Sequence, residues 1–425
     1  MPRWSSYARP AADQMKAVRR AMAQAGTIVK AHNGQADPNV APCVPKYNLT
    51  VPQSTPQGAC WNGSEVQVDI IIDKSIGKAL NYNLQFDLTL ANSDVSGNPH
   101  NAYLASSASF ITRVDWLYAG SVIETIYAPN MLYESIAMNT DQTLAQQAPL
   151  WAIDIDTANQ VKPITVAVPG ASSVKKTYYL PLSGVIPTAQ MFVAGLTGEL
   201  RIRLYLAPSI LCRAGALVTH STVTASLNAL NLWTEEATMS EEGFHALKEQ
   251  HRSGVSYRSV IRSLWQKTQP TLTANQTQND ILNAFTNDSA ALLVWVNNPN
   301  LDPGYFLTRQ PLNTLQLLDA GGATLTRVLP SSLVESTIAP SQTPLGSNFV
   351  NSSTFTTYFI PFSSSLNRVL DGKVLGGLRL TGSEQLVINS ANTVSGYLEN
   401  VVSFDYASLK VENGELTWSK TAGDL

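Results

Sequence analysis

The chain has 425 residues, of which 44% are hydrophobic and only 14% charged, where a soluble domain usually carries about 25% charge. Low charge with ample apolar content excludes a disordered chain, and no apolar run approaches the roughly 20 residues that span a bilayer as a helix. The length predicts more than one domain, and a net charge of −3 from 28 basic and 31 acidic residues argues against a nucleic-acid-binding body.

The charge is unevenly spread. Residues 1–32 carry Arg3, Arg9, Lys16, Arg19, Arg20 and Lys30 against Asp13 alone, and a basic arm on an acidic remainder points to an anionic partner for the arm. Ala-rich residues 11–31, opened by Pro10, predict a helix. Met15, Val18, Met22, Ala25 and Val29 recur at spacings of 3, 4, 3 and 4 and so share one stripe. Gln24 and Gly26 interrupt the apolar core that a secretory signal needs. Three readings remain open: a mitochondrial presequence, a basic amphipathic helix on an anionic membrane or partner surface, and a helix docked on its own body or a neighbouring subunit. Residues 33–64 follow, and Pro38, Pro42, Pro45, Pro52 and Pro56 predict an extended strap.

From about residue 65 the apolar period changes to two. Val66–Ile72, Tyr82–Leu90, Phe110–Tyr118, Ser121–Tyr127, Lys176–Pro181 and Glu199–Leu206 are predicted strands, rich in β-branched and aromatic residues and bounded by turn formers. Many short strands at close spacing imply a sandwich or barrel. The chain also resembles itself. Val114–Gly120 matches Leu315–Gly321, and Leu132-Tyr-Glu-Ser135 matches Leu333-Val-Glu-Ser336 at the same offset. Thr177-Tyr-Tyr-Leu-Pro181 matches Thr357-Tyr-Phe-Ile-Pro361, and Leu230-Asn-Leu232 matches Leu409-Lys-Val411, both at a shorter offset. The common order of these matches predicts a duplication, with a loop insertion over 139–175 in the first copy, at one end of a sandwich.

The predicted division is an arm over 1–32, a strap over 33–64, a first unit over 65–237, a helical linker over 238–272, and a second unit with its tail over 273–425. In the linker, Thr238-x-x-Glu241 is a capping-box pattern opening a helix to about His251, and Tyr257–Lys267 adds either a further turn or a strand.

No catalytic pattern emerges. The five histidines, His32, His100, His220, His245 and His251, form no ligand motif, and there is no nucleophile elbow, Walker loop or dinucleotide fingerprint. Gly321-Gly322 reads as a hairpin turn. Cys43, Cys60 and Cys212 are too few for a disulfide framework; a Cys43–Cys60 bridge is the alternative to isolated, buried thiols. Trp116, Trp233, Trp265 and Trp295 are expected to pack in cores or subunit contacts. The expectation is a non-enzymatic protein with no metal and no cofactor.

The repeat, the low charge, the strand spacing and runs such as Ala119–Ile126 and Leu200–Leu206 resemble the double jelly-roll major capsid proteins of icosahedral viruses, the lineage of adenovirus hexon and several membrane-containing phages. The resemblance implies an all-β fold of two tandem eight-stranded jelly rolls, with an N-terminal amphipathic helix and a short helical linker. It also implies a virion shell protein that forms pseudo-hexameric homotrimers. The partners implied are neighbouring capsomers, minor capsid and vertex proteins, and an internal membrane or genome. The N-terminal helix would face the interior, with Arg3, Arg9, Lys16, Arg19, Arg20 and Lys30 meeting phosphates and Met15, Val18 and Met22 inserting shallowly or clamping a neighbour. The rival expectation is a tandem β-sandwich surface protein that binds a glycan or receptor.

Overall fold

The computed structural model describes residues 45–53, 60–104, 106–137, 146–155, 161–213, 217–237, 241–267, 272–297, 312–338, 358–364, 376–391, 396 and 398–419. The arm residues singled out above (Arg3, Arg9, Met15, Lys16, Val18, Arg19, Arg20, Met22 and Lys30) lie outside these, as do Cys43 and Thr238.

The first half runs through β1 (Pro45–Thr50), β2 (Val66–Ile71), β3 (Lys78–Asn92), β4 (His100–Leu104), β5 (Ile111–Tyr118), β6 (Ser121–Tyr127) and helix α1 (Ala128–Ala137). It continues through β7 (Ile153–Ile155), β8 (Val161–Val168), β9 (Ser172–Pro181), α2 (Val185–Ala189), β10 (Leu200–Leu206) and β11 (Val223–Ala237). Helix α3 (Glu241–Ser253) leads to β12 (Val255–Lys267), β13 (Thr277–Ile281), β14 (Asp288–Asn297), β15 (Leu312–Leu318) and β16 (Leu329–Pro330). A short helix α4 (Ser331–Leu333) then passes into a π-helical turn, Val334–Ile338, before β17 (Tyr358–Pro361), β18 (Leu378–Arg379), β19 (Gln385–Ser390), β20 (Leu398–Glu412) and β21 (Glu415–Ser419).

The two halves repeat one topology. The first has sheets ordered β1-β11-β3-β9 and β2-β10-β5-β6, and the second has β12-β20-β14-β17 and β13-β19-β15-β16. Substituting each strand by its counterpart converts one pair of sheets into the other, so each half is an eight-stranded jelly roll. All four sequence matches fall on equivalent elements, but only those on β5 and β15 and on β9 and β17 are in register. Val114 pairs with Ile126 and Leu315 with Leu329, so the second copy gains two residues before its helix, and buried Leu132 is not the counterpart of exposed Leu333. The Leu230–Leu232 match is also out of register. The rung through Tyr179 and Gln85 reaches Asn231, while that through Phe359 and Leu293 reaches Val402, not Lys410.

Alternation explains the strands. On β3, Tyr82, Leu84, Phe86, Leu88 and Leu90 are buried at every second position, while Asn83, Gln85, Asp87 and Thr89 point the other way. The first core closes on Phe110, whose ring meets those of Trp61, Phe86 and Tyr178 edge-on at 5.8, 5.4 and 5.9 Å. Leu292, Val294, Leu315, Leu317, Leu386, Ile388 and Val401 form the smaller second core. Each such side chain contributes about 1.5–3 kcal/mol by leaving water. Cys60 and Cys212 are buried, and burial pushes the Cys60 thiol up to about 11. Asp319 Oδ1 accepts the amides of Gly321 and Ala323, and Leu318 bridges Thr324, so the Gly321-Gly322 segment is a hairpin turn.

Two segments differ from the sequence expectation. Within 139–175, β7 and β8 join β4 in a small sheet, β4-β8-β7, where a loop is expected from the sequence; Ile164, Val166 and Val168 supply the alternation of β8. In the 238–272 linker, only α3 is helical. Of the two alternatives for Tyr257–Lys267, the strand holds: Val255–Lys267 pairs with β20 from Val255↔Glu412 to Lys267↔Asn400. The second sandwich therefore begins in the segment read as a linker, because β12 has apolar residues on both faces, Val260 and Leu264 as well as Ile261 and Trp265, and shows no clean alternation.

Candidate assembly interface

The most elaborate polar and apolar arrangement in the molecule is the junction between the jelly rolls. It uses one sheet face of the second unit. Trp265, Val402, Leu293 and Phe359 form a continuous rung across β12, β20, β14 and β17. These side chains belong to the same apolar cluster as Ile126, Val185 and Ile186 of the first unit, whereas their neighbours Val401, Leu292 and Ile360 face the second core. A sheet packed on both faces in this way needs a partner on each. Here the outer partner is the first unit's β6 and α2. The Tyr127 and Trp265 rings meet at 4.8 Å, and Trp265 Nε1 donates to Asn400 Oδ1 at 3.2 Å.

Charge is buried in the same place. Glu124 on β6 is 1% exposed, and its Oε2 accepts the Val185 amide at 2.7 Å. The close approach requires Gly184, at φ +119°, where a Cβ would come within 2.5 Å of Glu124 Oε2 and Ile126 Cδ1. Arg262 stands on β12 opposite Asp405 of β20. Burial pulls its guanidinium below the ordinary arginine value, while the charges of Glu124 from one unit and Asp405 from the other oppose that shift. Asp405 is fully buried and accepts hydrogen bonds from Asn287 Nδ2 at 3.0 Å and from Ser403 Oγ. Burial raises its carboxyl above the usual range, and the hydrogen bonds from Ser403 and Asn287 and the Arg262 charge counter this only in part.

A hairpin completes the junction. Asn413 (φ 52°) and Gly414 (φ 80°) form a two-residue type I′ turn between β20 and β21. Gly414 O accepts the Thr197 amide at 2.9 Å and the Tyr118 hydroxyl at 3.0 Å, and Tyr118 Oη accepts the Gly198 amide at 2.8 Å. On the other side, α3 lays Phe244 and Leu247 on Phe192 and Ala194, with the Phe192 and Phe244 rings 5.4 Å apart. Gly414→Ala would place a Cβ 2.7 Å from Thr197 Cγ2 in a left-handed backbone, so a loss of about 1–3 kcal/mol is expected from urea denaturation. An unchanged midpoint would mean that the hairpin does not hold the units together.

No group of three or more His, Cys, Asp or Glu side chains suited to a metal occurs among the described residues. Trp265 is expected from the sequence in packing or subunit contacts, but Tyr127, Glu124 and Arg262 carry no local signal, and Asn413-Gly414 signals a hairpin turn without showing that it meets the other unit. Only the strand order, once known, shows which face must be shared. Trp116 and Trp295 are buried, as expected, whereas Trp233 lies half-buried on the outer face of β11, beside Tyr47, Tyr179, Leu150 and Trp151 in a groove of about 450 Å³.

No protein-family model and no curated protein matches the sequence. Solved structures do match. A subunit from the quasi-atomic model of the PBCV-1 virus capsid superposes with a TM-score of 0.66 at 12% identity, over 91% of this chain and 98% of that one. The Faustovirus major capsid protein gives 0.59 at 10% identity, over 95% and 98%. A chain of the Sputnik virophage structure gives 0.58 at 11% identity, over 92% and 91%. At such identities the likeness is one of fold, and it extends over nearly the whole of each chain. The protein has the all-β double jelly-roll fold of these viral capsid proteins.

Proposed function

We propose that the chain is the major capsid protein of an icosahedral virus, a non-enzymatic shell subunit of the virion, three copies of which close into a ring of six jelly rolls. The observation that carries this reading is how the two units meet. Their junction is heterologous: the β6 side of the first unit packs on the β12 side of the second. Two surfaces are then left over, the first unit's counterpart of β12, which is β1, and the second unit's counterpart of β6, which is β16. Both present apolar side chains to solvent. Tyr47, Leu49 and Val51 are 61%, 50% and 61% exposed along β1, and Leu325, Val328 and Leu333 are 40%, 53% and 43% exposed around β16. Repeating the internal junction between chains covers both patches, and head-to-tail contacts of this kind close into rings. The shared fold with proteins described as capsid subunits supports the shell role.

Leu49→Asp and Val328→Asp each place a charge in one half of the repeated junction without touching either core. Each is expected to convert the ring to single chains in sedimentation velocity while leaving the thermal melt of the chain within a few degrees of wild type. Rings that survive both substitutions would contradict the reading.

In the same proposal, residues 1–32 face the shell interior. Arg3, Arg9, Lys16, Arg19, Arg20 and Lys30 meet lipid phosphates or genome there, at about 1 kcal/mol each near an anionic surface, and Met15, Val18 and Met22 enter shallowly. Minor capsid and vertex proteins are the other partners. Deleting residues 1–32 is expected to leave ring formation intact and to abolish co-sedimentation with phosphatidylserine vesicles. Undiminished vesicle binding would remove the arm from this role.

A further inference from the structure

The groove beside Trp233 lies on the outer face of the sheet β1-β11-β3-β9, and the second unit shows what such a face does. Two rungs of the first unit, Tyr179–Gln85–Asn231 and Pro181–Asn83–Trp233, stand where Phe359–Leu293–Val402 and Pro361–Ala291–Phe404 stand in the second. Phe359, Leu293, Val402, Ala291 and Phe404 are at most 1% exposed, in the apolar cluster that also holds Val185, Ile186 and Ala189 of α2. Helix α2 lies against β12 at that junction. In the first unit the same face is a groove of about 450 Å³, edged by Trp151 and by Leu150, which is 49% exposed.

The repeat also identifies the segment that answers to α2. Just beyond the matched prolines, the Leu182 amide donates to Tyr82 O and the Phe362 amide to Ala290 O, both at 2.9 Å. Tyr82 and Ala290 directly precede the matched Asn83 and Ala291, so the register carries past Pro181 and Pro361. It pairs Ser183 with Ser363 and, in sequence, Val185, Ile186 and Ala189 with Ser365, Leu366 and Val369. Residues 365–369 lie outside the described residues. The replacements on the two sides go together. Serine stands for Val185 on the segment, while Gln85, Asn231 and Asn83 stand for Leu293, Val402 and Ala291 on the sheet. Amides that become buried need hydrogen-bond partners; a hydroxyl on the entering segment supplies one, and Leu366 remains as the apolar anchor for the Trp233 and Tyr179 rings. Permanent interfaces resemble a core cut in half, whereas partners that also exist apart in water meet through more polar surfaces. The apolar version suits a contact within one chain, and the amide-floored version suits a contact between chains.

We infer that the groove beside Trp233 receives the segment 362–369 of a second copy of the chain, with Leu366 and Val369 taking the places that Ile186 and Ala189 take within the chain. This rests on the ring reading, and the test separates the two. Sedimentation velocity of the full chain over a concentration series gives the concentration at which half the rings are lost. Leu366→Asp is expected to raise that concentration at least tenfold. Leu150→Asp, at an exposed position on the groove edge, is expected to do the same, and it keeps the test decisive if Leu366→Asp does not fold. A photo-cross-linking p-benzoylphenylalanine in place of Leu150 is irradiated in an equal mixture of isotopically light and heavy chains. Mixed-isotope peptides joining that position to residues 362–369 of the other copy are expected by mass spectrometry. A wild-type chain that stays single contradicts the ring reading and this inference with it. The inference alone is overturned if wild-type rings form and either folded variant shifts the half-dissociation concentration less than tenfold. It is likewise overturned if the cross-links stay within one chain or reach a different segment.

Discussion

Arg262→Ala is expected to cost the folded chain about 3–5 kcal/mol at pH 7, the usual consequence of removing one partner from a buried charge cluster. Glu124 and Asp405 are 1% and 0% exposed, and their charges, one from each jelly roll, both favour the charged guanidinium. Without it, two carboxylates remain in a low-dielectric junction where ionisation is opposed by burial. Protonation relieves that cost, so the variant is expected to regain stability as the pH falls from 7 to 5, while wild type does not gain in the same proportion. Glu124→Gln in the Arg262→Met background should recover much of the loss, because an amide side chain and an apolar one need no counter-charge there. Urea denaturation at the two pH values checks this. A loss below about 1 kcal/mol, equal at both, would mean that the junction does not depend on this charge cluster.

The second large effect is a pH dependence that differs between the two units. In the second, Glu399 is 3% exposed; burial, and then the nearby Asp280 charge, raise its carboxyl well above the ordinary value. Burial also raises Asp280, against a hydrogen bond from Gln266 Nε2 at 3.3 Å. A carboxyl whose folded value lies above its unfolded one is more protonated in the native state. Its stabilising effect is complete below the unfolded value, near 4, and is lost as the pH rises through the raised one, at up to about 1.4 kcal/mol per pH unit for each group. In the first unit the sign reverses. A hydrogen bond from Arg203, joined by Arg201, lowers Asp69, and hydrogen bonds from the Ser75 amide and hydroxyl lower Asp73. These groups stabilise above about pH 4, and their contribution is lost on acidification below it. The urea midpoint of the full chain is thus expected to fall between pH 5 and 8, and Glu399→Gln should flatten that fall. An unaltered slope in the variant would assign the pH dependence elsewhere.

Much of the architecture was legible in the residues. Strand alternation on β3 and β10 and the matched runs on β5 and β15 or β9 and β17 disclosed a duplicated β-sandwich, because sandwich strands with one face in the core carry their period openly. What was hidden is what the second unit does with its other face. Trp265, Val402, Leu293 and Phe359 are apolar like any core residue, and their place in a junction follows only from pairing across four strands. For the same reason β12 was read as part of a linker, and Arg262 within it looks like any solvated strand charge. β16 and β18, at two residues each, carry no period at all. His100 and His220, 120 positions apart, stack ring on ring with no local signature.

The native mass of the purified full chain by multi-angle light scattering tests the central claim most directly. A stable species at three times the 45.9 kDa chain mass is expected, with the β1 and β16 patches buried between copies. A clean single-chain mass at micromolar concentration would contradict the ring and favour a tandem β-sandwich that works alone as a binding protein.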